Sequence, residues 1–215
     1  NPTIIEEAEK QVEDGWNKFP KLYHQQAQAL DLKAQMQDDP ELKAQLINRA
    51  REFYRQAAEG YASYLKQYPG AKVAEEMRYN RADALYSVGD LLTAAQEYQM
   101  VAADPRTKKF KDAAALDAIL AYESLLKVAV ANGDVEPRAD PNTPYKQPEQ
   151  PESRKNKGTE KVELQKIPMP ALLENWINAV DFFVKNDLRV KDLPKRHLEY
   201  ALQVGARSEE HTSEL

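Results

Sequence analysis

Few residues of this chain are of a type and spacing that could do chemistry. The sequence holds three histidines, His24, His197 and His211. His24 and His197 stand far apart, and neither has a second ligand at the spacing of a metal site. They read as surface or partly buried side chains, and His211 falls in a terminal stretch set aside below. The acid pairs Asp38-Asp39 and Glu75-Glu76 stand where helices begin. There a carboxylate accepts free backbone amides and meets the positive end of the helix dipole, so capping explains them better than general acid–base work. Ser63, Ser87, Ser124 and Ser153 lack the strand–turn–helix setting of a nucleophile elbow. Gly133 and Gly158 lack the strand–loop–helix context of a phosphate cradle. No catalytic, metal-binding or cofactor-binding residue is assigned, and the expectation is a protein that is not an enzyme and holds no cofactor.

The residues that remain informative are those that place helices against one another. Glu75–Pro105 reads as two short helices joined at Gly89-Asp90, spanning about 72–88 and 91–103. Ala82, Leu85, Ala94, Tyr98 and Val101 mark their inner faces. Small side chains such as Ala82 and Ala94 belong where helices cross closely. Gly89 supplies the positive φ that a turn between antiparallel helices needs. A pair this short cannot bury its apolar face alone, which predicts a stacked array.

Elsewhere the apolar spacing is also helical. Residues 3–18 carry Ile4, Ile5, Ala8, Val12 and Trp16. Phe19-Pro20 is expected to interrupt, with Pro20 in the first turn of a second helix. That helix reaches about Met36, with Leu22, Tyr23, Ala27, Leu30 and Ala34 inward. Asp38-Asp39-Pro40-Glu41 starts the next helix. It runs to Gln67 with Leu42, Leu46, Ala50, Phe53, Tyr54, Ala57, Tyr61, Tyr64 and Leu65 on its face, and Tyr68-Pro69-Gly70 stops it. A further helix covers 108–131. Residues 134–167 hold five prolines between Pro137 and Pro151, with many charges, and read as a solvated extended segment. Within it Pro141-Asn142-Thr143-Pro144 is the nearest match to a polyproline-type ligand. Helix returns over 170–186 with Leu172, Leu173, Trp176, Ile177, Val180 and Phe183, and again from Pro194.

Composition narrows the class. The chain is 42% hydrophobic and 30% charged, which suits a helical globular protein and not a disordered one. Its net charge is −5. That balance, without a basic aromatic face, does not suggest a nucleic-acid binder, and no nucleic-acid partner is expected. No apolar run approaches the roughly 18 residues of a membrane span. Cysteine is absent, so disulfides and thiol chemistry are excluded. Arg207–Leu215 (RSEEHTSEL) looks like the translation of a common sequencing adapter, and is expected to be an artefact. Without its one Arg and three Glu the remaining charge is −3. The native chain is then expected to continue past Ala206, and the start at Asn1 is expected to lack an earlier signal or anchor.

The 75–105 pattern resembles the tetratricopeptide repeat, a two-helix unit of about 34 residues. Ala82 and Leu85 match its first helix, and Ala94, Tyr98 and Val101 match its second. Arg78 stands where the family often has an aromatic, and Pro105 comes one residue early. Ala57, Tyr61, Tyr64 and Pro69 repeat the second-helix spacing, although no first helix for that unit is recognisable. Ala179 and Phe183 would serve the second helix of a third unit. The resemblance implies an all-α, tetratricopeptide-like solenoid of antiparallel helix pairs, irregular and carrying a long proline-rich insert. Its parts are N-terminal helices over 1–56, repeats over 57–132, the insert over 133–169, a continued array over 170–206, and the adapter-like 207–215.

The family lines its concave surface with first-helix residues that point away from the second helix. Carried over, these are Tyr79, Asn80, Asp83, Tyr86 and Ser87, a candidate groove for a protein partner. Arg78 and Arg81 stand nearby, but the family's paired basic clamp for a terminal carboxylate is missing. Tyr61, Tyr64, Tyr98, Trp176 and Phe183 are expected in the core. The phrase YLKQYPGAKVAEEMRYNRADALYSVGD also looks like envelope tetratricopeptide proteins of Gram-negative bacteria. That implies a non-enzymatic scaffold of a cell-envelope assembly, periplasmic or associated with the outer membrane. The alternatives are a helical accessory region of a larger enzyme or transport complex, or a cytoplasmic assembly chaperone.

Overall fold

A computed structural model of the chain describes residues 2–106, 109–134 and 171–186. Its described residues form six α-helices, with no strand among them. They are α1 (Pro2–Gln35), α2 (Pro40–Gln67), α3 (Ala74–Val88), α4 (Leu91–Ala103), α5 (Lys111–Asn132) and α6 (Ala171–Lys185). The fold is therefore all-α. The insert after Asp134, the helix expected from Pro194, His197 and the adapter-like residues lie outside the described residues.

Local signals set most boundaries. Asp39 caps α2, accepting from the Glu41 amide at 2.8 Å and the Leu42 amide at 3.2 Å, with Pro40 in the first turn. Tyr68 closes it through a backbone bond to Tyr64. Gly89 ends α3 at φ 92°, and the Gly89 and Asp90 amides return to the Tyr86 and Leu85 carbonyls at 3.0 Å. A residue with a Cβ is strained at that φ. Asp90 then caps α4 by accepting from the Thr93 amide.

The first helix departs from expectation. No break occurs at Phe19-Pro20, and α1 runs through Pro20 for 34 residues. Proline inside a helix lacks the N–H that would reach the carbonyl four residues back, a loss of about 3 kcal/mol. Here the Pro20 ring is buried, and it faces Gly60 of α2. Close packing against α2 holds α1 continuous where sequence signals alone would end it. Leu22 and Leu42, expected inward, are exposed. The helix α2 is unbroken through 56–57, so that division does not fall between elements.

Each helix packs mainly on the next in sequence. The pairs are antiparallel, because contacts climb one helix as they descend the other. Tyr54 reaches Asp31, and Tyr64 reaches Glu13. Arg81 reaches Glu97, and Tyr122 reaches Gln99. Trp176 of α6 reaches Glu123 of α5. The helix that pairs with α2, unrecognised in the sequence, is thus α1. Alanine dominates the contact faces: Ala27, Ala57, Ala82, Ala94, Ala114 and Ala118 are all essentially inaccessible. Tyr61, Tyr64, Tyr98, Trp176 and Phe183 are buried among them.

Two substitutions test the α1–α2 contact. A Cβ at residue 60 would lie 2.7 Å from Pro20 Cγ, on a ring that cannot swing away. At Gly15, also helical, nothing lies within 4 Å. Gly60→Ala is expected to lower the stability measured by chemical denaturation by about 1–3 kcal/mol. Gly15→Ala is expected to raise it by roughly 0.5–1 kcal/mol, the ordinary helix-propensity gain.

Candidate functional site

The five groove candidates all lie on α3, and the structure shows what each one meets. Tyr79 donates to Asp117 of α5 at 2.6 Å. Its ring stacks on Phe110 with centroids 4.8 Å apart, and it meets the Tyr98 ring edge-on. Asn80 lies against the Tyr61 hydroxyl of α2. Asp83 accepts a short hydrogen bond from the Tyr98 hydroxyl of α4. Tyr86 is paired with Ser124 of α5 at 3.0 Å, while Ser124 donates to the Leu120 carbonyl. Ser87 donates back to the Asp83 carbonyl at 2.9 Å and lies near the Tyr54 hydroxyl. Only Tyr86 of the five is exposed; the others are half-buried.

These contacts have a common register. Tyr79 to Asp117 and Tyr86 to Ser124 each span 38 residues. Two bonds with one offset mean that α3 and α5 run parallel, side by side. A third link crosses the same step, where the Glu75 carboxylate accepts the Phe110 amide at 3.2 Å. Phe110 precedes α5 and has no side-chain cap of its own, so α3 caps the start of α5. Glu76 meets Lys21 of α1 at 2.6 Å. The Glu75-Glu76 pair therefore reaches both neighbouring odd-numbered helices as well as sitting in the first turn of α3.

Arg78 and Arg81 do not face outward as a carboxylate clamp. Both point at Glu97 of α4, a side chain left only 6% exposed. The carboxylate is buried, while the Arg78 and Arg81 side chains keep part of their surface in water.

Electrostatics in the Tyr–Asp cluster run against ionisation. Burial raises Asp83 to about 6, although the Tyr98 bond opposes the shift and nearby Asp117 adds to it. Burial also raises Asp117, against the Tyr79 bond. Tyr79 and Tyr98 are both pushed up, first by burial and then by the carboxylates beside them. These hydroxyls stay protonated and act as donors. The cluster is suited to holding helices and to offering aromatic edges and carboxylate lone pairs. No nucleophile–base pair is present in it. Among the described residues no three His, Cys, Asp or Glu side chains converge as a metal site. No described helix is long and apolar enough to cross a membrane.

Sequence reasoning missed Asp117, Ser124 and Glu97. The equal spacing of 38 was present in the sequence, but it has meaning only once α3 and α5 are known to be neighbours. Comparison with protein-family models, with curated proteins and with solved structures finds no match for this chain.

Two measurements follow from these charges. Asp83 has a native pKa near 6 against an unfolded 3.8, so the folded state favours its protonated form. Its stabilising contribution is complete below about pH 3.8 and is lost as pH rises through 6. Asp83→Asn is expected to be more stable than the parent at pH 7, by about 2 kcal/mol. The gap should close as pH falls towards 4, read as the difference in Tm between the two proteins. Glu97→Ala, which removes the shared partner of the part-exposed Arg78 and Arg81, should lower denaturation stability by about 1–3 kcal/mol at neutral pH.

Proposed function

We propose that this chain is a tetratricopeptide-like solenoid that works as a non-enzymatic protein–protein interaction scaffold in a bacterial cell-envelope assembly. The observation that carries the reading is the common 38-residue offset between α3 and α5. Parallel first helices, each separated from the next by an antiparallel second helix, are the geometry of a stacked helix-pair array. The Gly89 turn, the buried Ala82 and Ala94, and the pairing of α5 with α6 support it. In this reading α1/α2, α3/α4 and α5/α6 are three successive units, and residues 133–169 are an insert within the third.

The groove is then the edge where α3 and α5 meet. Tyr86 is its accessible aromatic, paired with Ser124, and the half-buried Tyr79, Asn80, Asp83 and Ser87 form its floor. Tyrosine offers a large contact area for little lost freedom, which suits it to grip a partner's backbone. The envelope placement rests on the YPG–Ala–Glu–Glu joint between α2 and α3. No residue set in the cluster supports a catalytic step.

The test is affinity capture from the native organism with Tyr86→Ala beside the parent protein. The floor residues are poor choices, because changing them loosens the helix contacts. Tyr86→Ala is expected to keep its Tm within a few degrees and to lose most of the captured partner. Full retention of every partner places the binding surface elsewhere. Fractionation of the same cells is expected to put the protein with the envelope.

A further inference from the structure

Among the described residues of α1, those buried are Pro20, His24, Ala27 and Ala34, and His24 is the one polar side chain in that set. It is only 7% exposed. Its ring is held edge-on by two tyrosines of α2, Tyr54 and Tyr61, which stand two helical turns apart. Their ring centroids lie 5.4 Å and 6.0 Å from that of His24.

One hydrogen-bond chain runs from this ring through three helices. His24 Nδ1 lies 3.3 Å from the Tyr61 hydroxyl. Asn80 of α3 lies against the same hydroxyl and acts on it as a donor, opposing the upward push that burial gives Tyr61. With its oxygen taken by Asn80, the hydroxyl turns its hydrogen towards His24 Nδ1. That arrangement needs Nδ1 as an acceptor, and so a neutral ring with its proton on Nε2. Protonation breaks the chain, because an imidazolium has two donors and no acceptor. The Tyr61 hydrogen then loses its acceptor, and a charge stands in a buried contact. Burial accordingly holds His24 below its usual 6.5.

The groups around the ring do not rescue the cation. Every charged residue of α2 is exposed. On α1 itself, Lys21 is a like charge one turn away, paired with Glu76 of α3 at 2.6 Å. Asp31, two turns away, accepts the Tyr54 hydroxyl at 2.8 Å. On α3, Glu76 and Asp83 act on Tyr61, but neither is bonded to the imidazole. Asp83 takes the Tyr98 hydroxyl and loses its own charge near pH 6.

We infer that His24 is an acid-sensitive latch: neutral, it ties α1 to α2 and α3 through Tyr61, and protonated, it loosens α1 from them. The folded state favours the neutral ring, so the latch is fully closed above pH 6.5 and is lost as pH falls through the lower folded value. Asp83 works in the opposite sense, adding stability as pH falls. A melting curve of the whole chain mixes the two, so α1 has to be read by itself.

Hydrogen–deuterium exchange on the full chain, at about pH 7.5 and about pH 5 and corrected for intrinsic rates, reads it. In the parent protein the α1 amides around His24 are expected to lose protection at acid pH by at least about tenfold relative to those of α5. His24→Gln, uncharged at both values, should show no such loss. NMR titration of the parent's imidazole protons should place the His24 midpoint below 6.5. Tyr61→Phe, which removes the donor to the neutral ring, should raise that midpoint. Undiminished protection of α1 at acid pH overturns the proposal, as does a loss that persists in His24→Gln. A His24 midpoint at or above 6.5, or one indifferent to Tyr61→Phe, overturns it equally.

Discussion

Close approach between helices, through alanine and glycine, is the constraint on which the rest of this structure depends. Helices of 13 to 15 residues, such as α3, α4 and α6, hold little stability alone. They become stable by burying one face on the helix before and another on the helix after. Ala27, Ala57, Ala82, Ala94, Ala114 and Ala118 let backbones come near enough for that burial to be complete. Gly60 carries the same logic furthest, since its missing side chain leaves room for the Pro20 ring.

Alanine faces set distance but say little about sliding. Polar side chains supply the register. Tyrosine hydroxyls at 54, 64, 79, 98 and 122 each donate to an acceptor on another helix. Tyrosine suits this task because its ring packs in the apolar contact while its hydroxyl reaches past it to a polar edge. The acceptors Asp83 and Asp117 are held in surroundings that disfavour their charge. The arrangement trades some stability at neutral pH for a specified alignment of three helices. The same residues that would floor a groove are those that align its walls.

This overlap explains why the surroundings of the α3 side chains were only partly legible. Spacing on α3 places Tyr79, Asn80, Asp83, Tyr86 and Ser87 together; in the structure Tyr79, Asp83 and Ser87 share linked contacts, while Asn80 meets Tyr61 and Tyr86 meets Ser124. Their roles differ in a way that spacing does not reveal. Tyr86 is accessible, while Tyr79 and Asp83 are tied to α5 and α4. Arg78 and Arg81 read as free cations in the sequence but converge on one buried glutamate. Each difference depends on Asp117, Ser124 or Glu97, residues that no local pattern links to α3.

The sequence by itself determined most of the described helices and the ends of α2 and α4. Asp39-Pro40, Gly89-Asp90 and the apolar periodicity act over a turn or two, so they can be read locally, and α2 and α4 begin and end where those signals put them. Only the tertiary structure decided that α1 passes through Pro20 unbroken, that α1 is the partner of α2, and that α3 and α5 lie parallel with an offset of 38 residues. The reason is range. A proline's local cost is fixed by its own backbone, but whether the helix survives depends on a ring seated against Gly60, forty residues away.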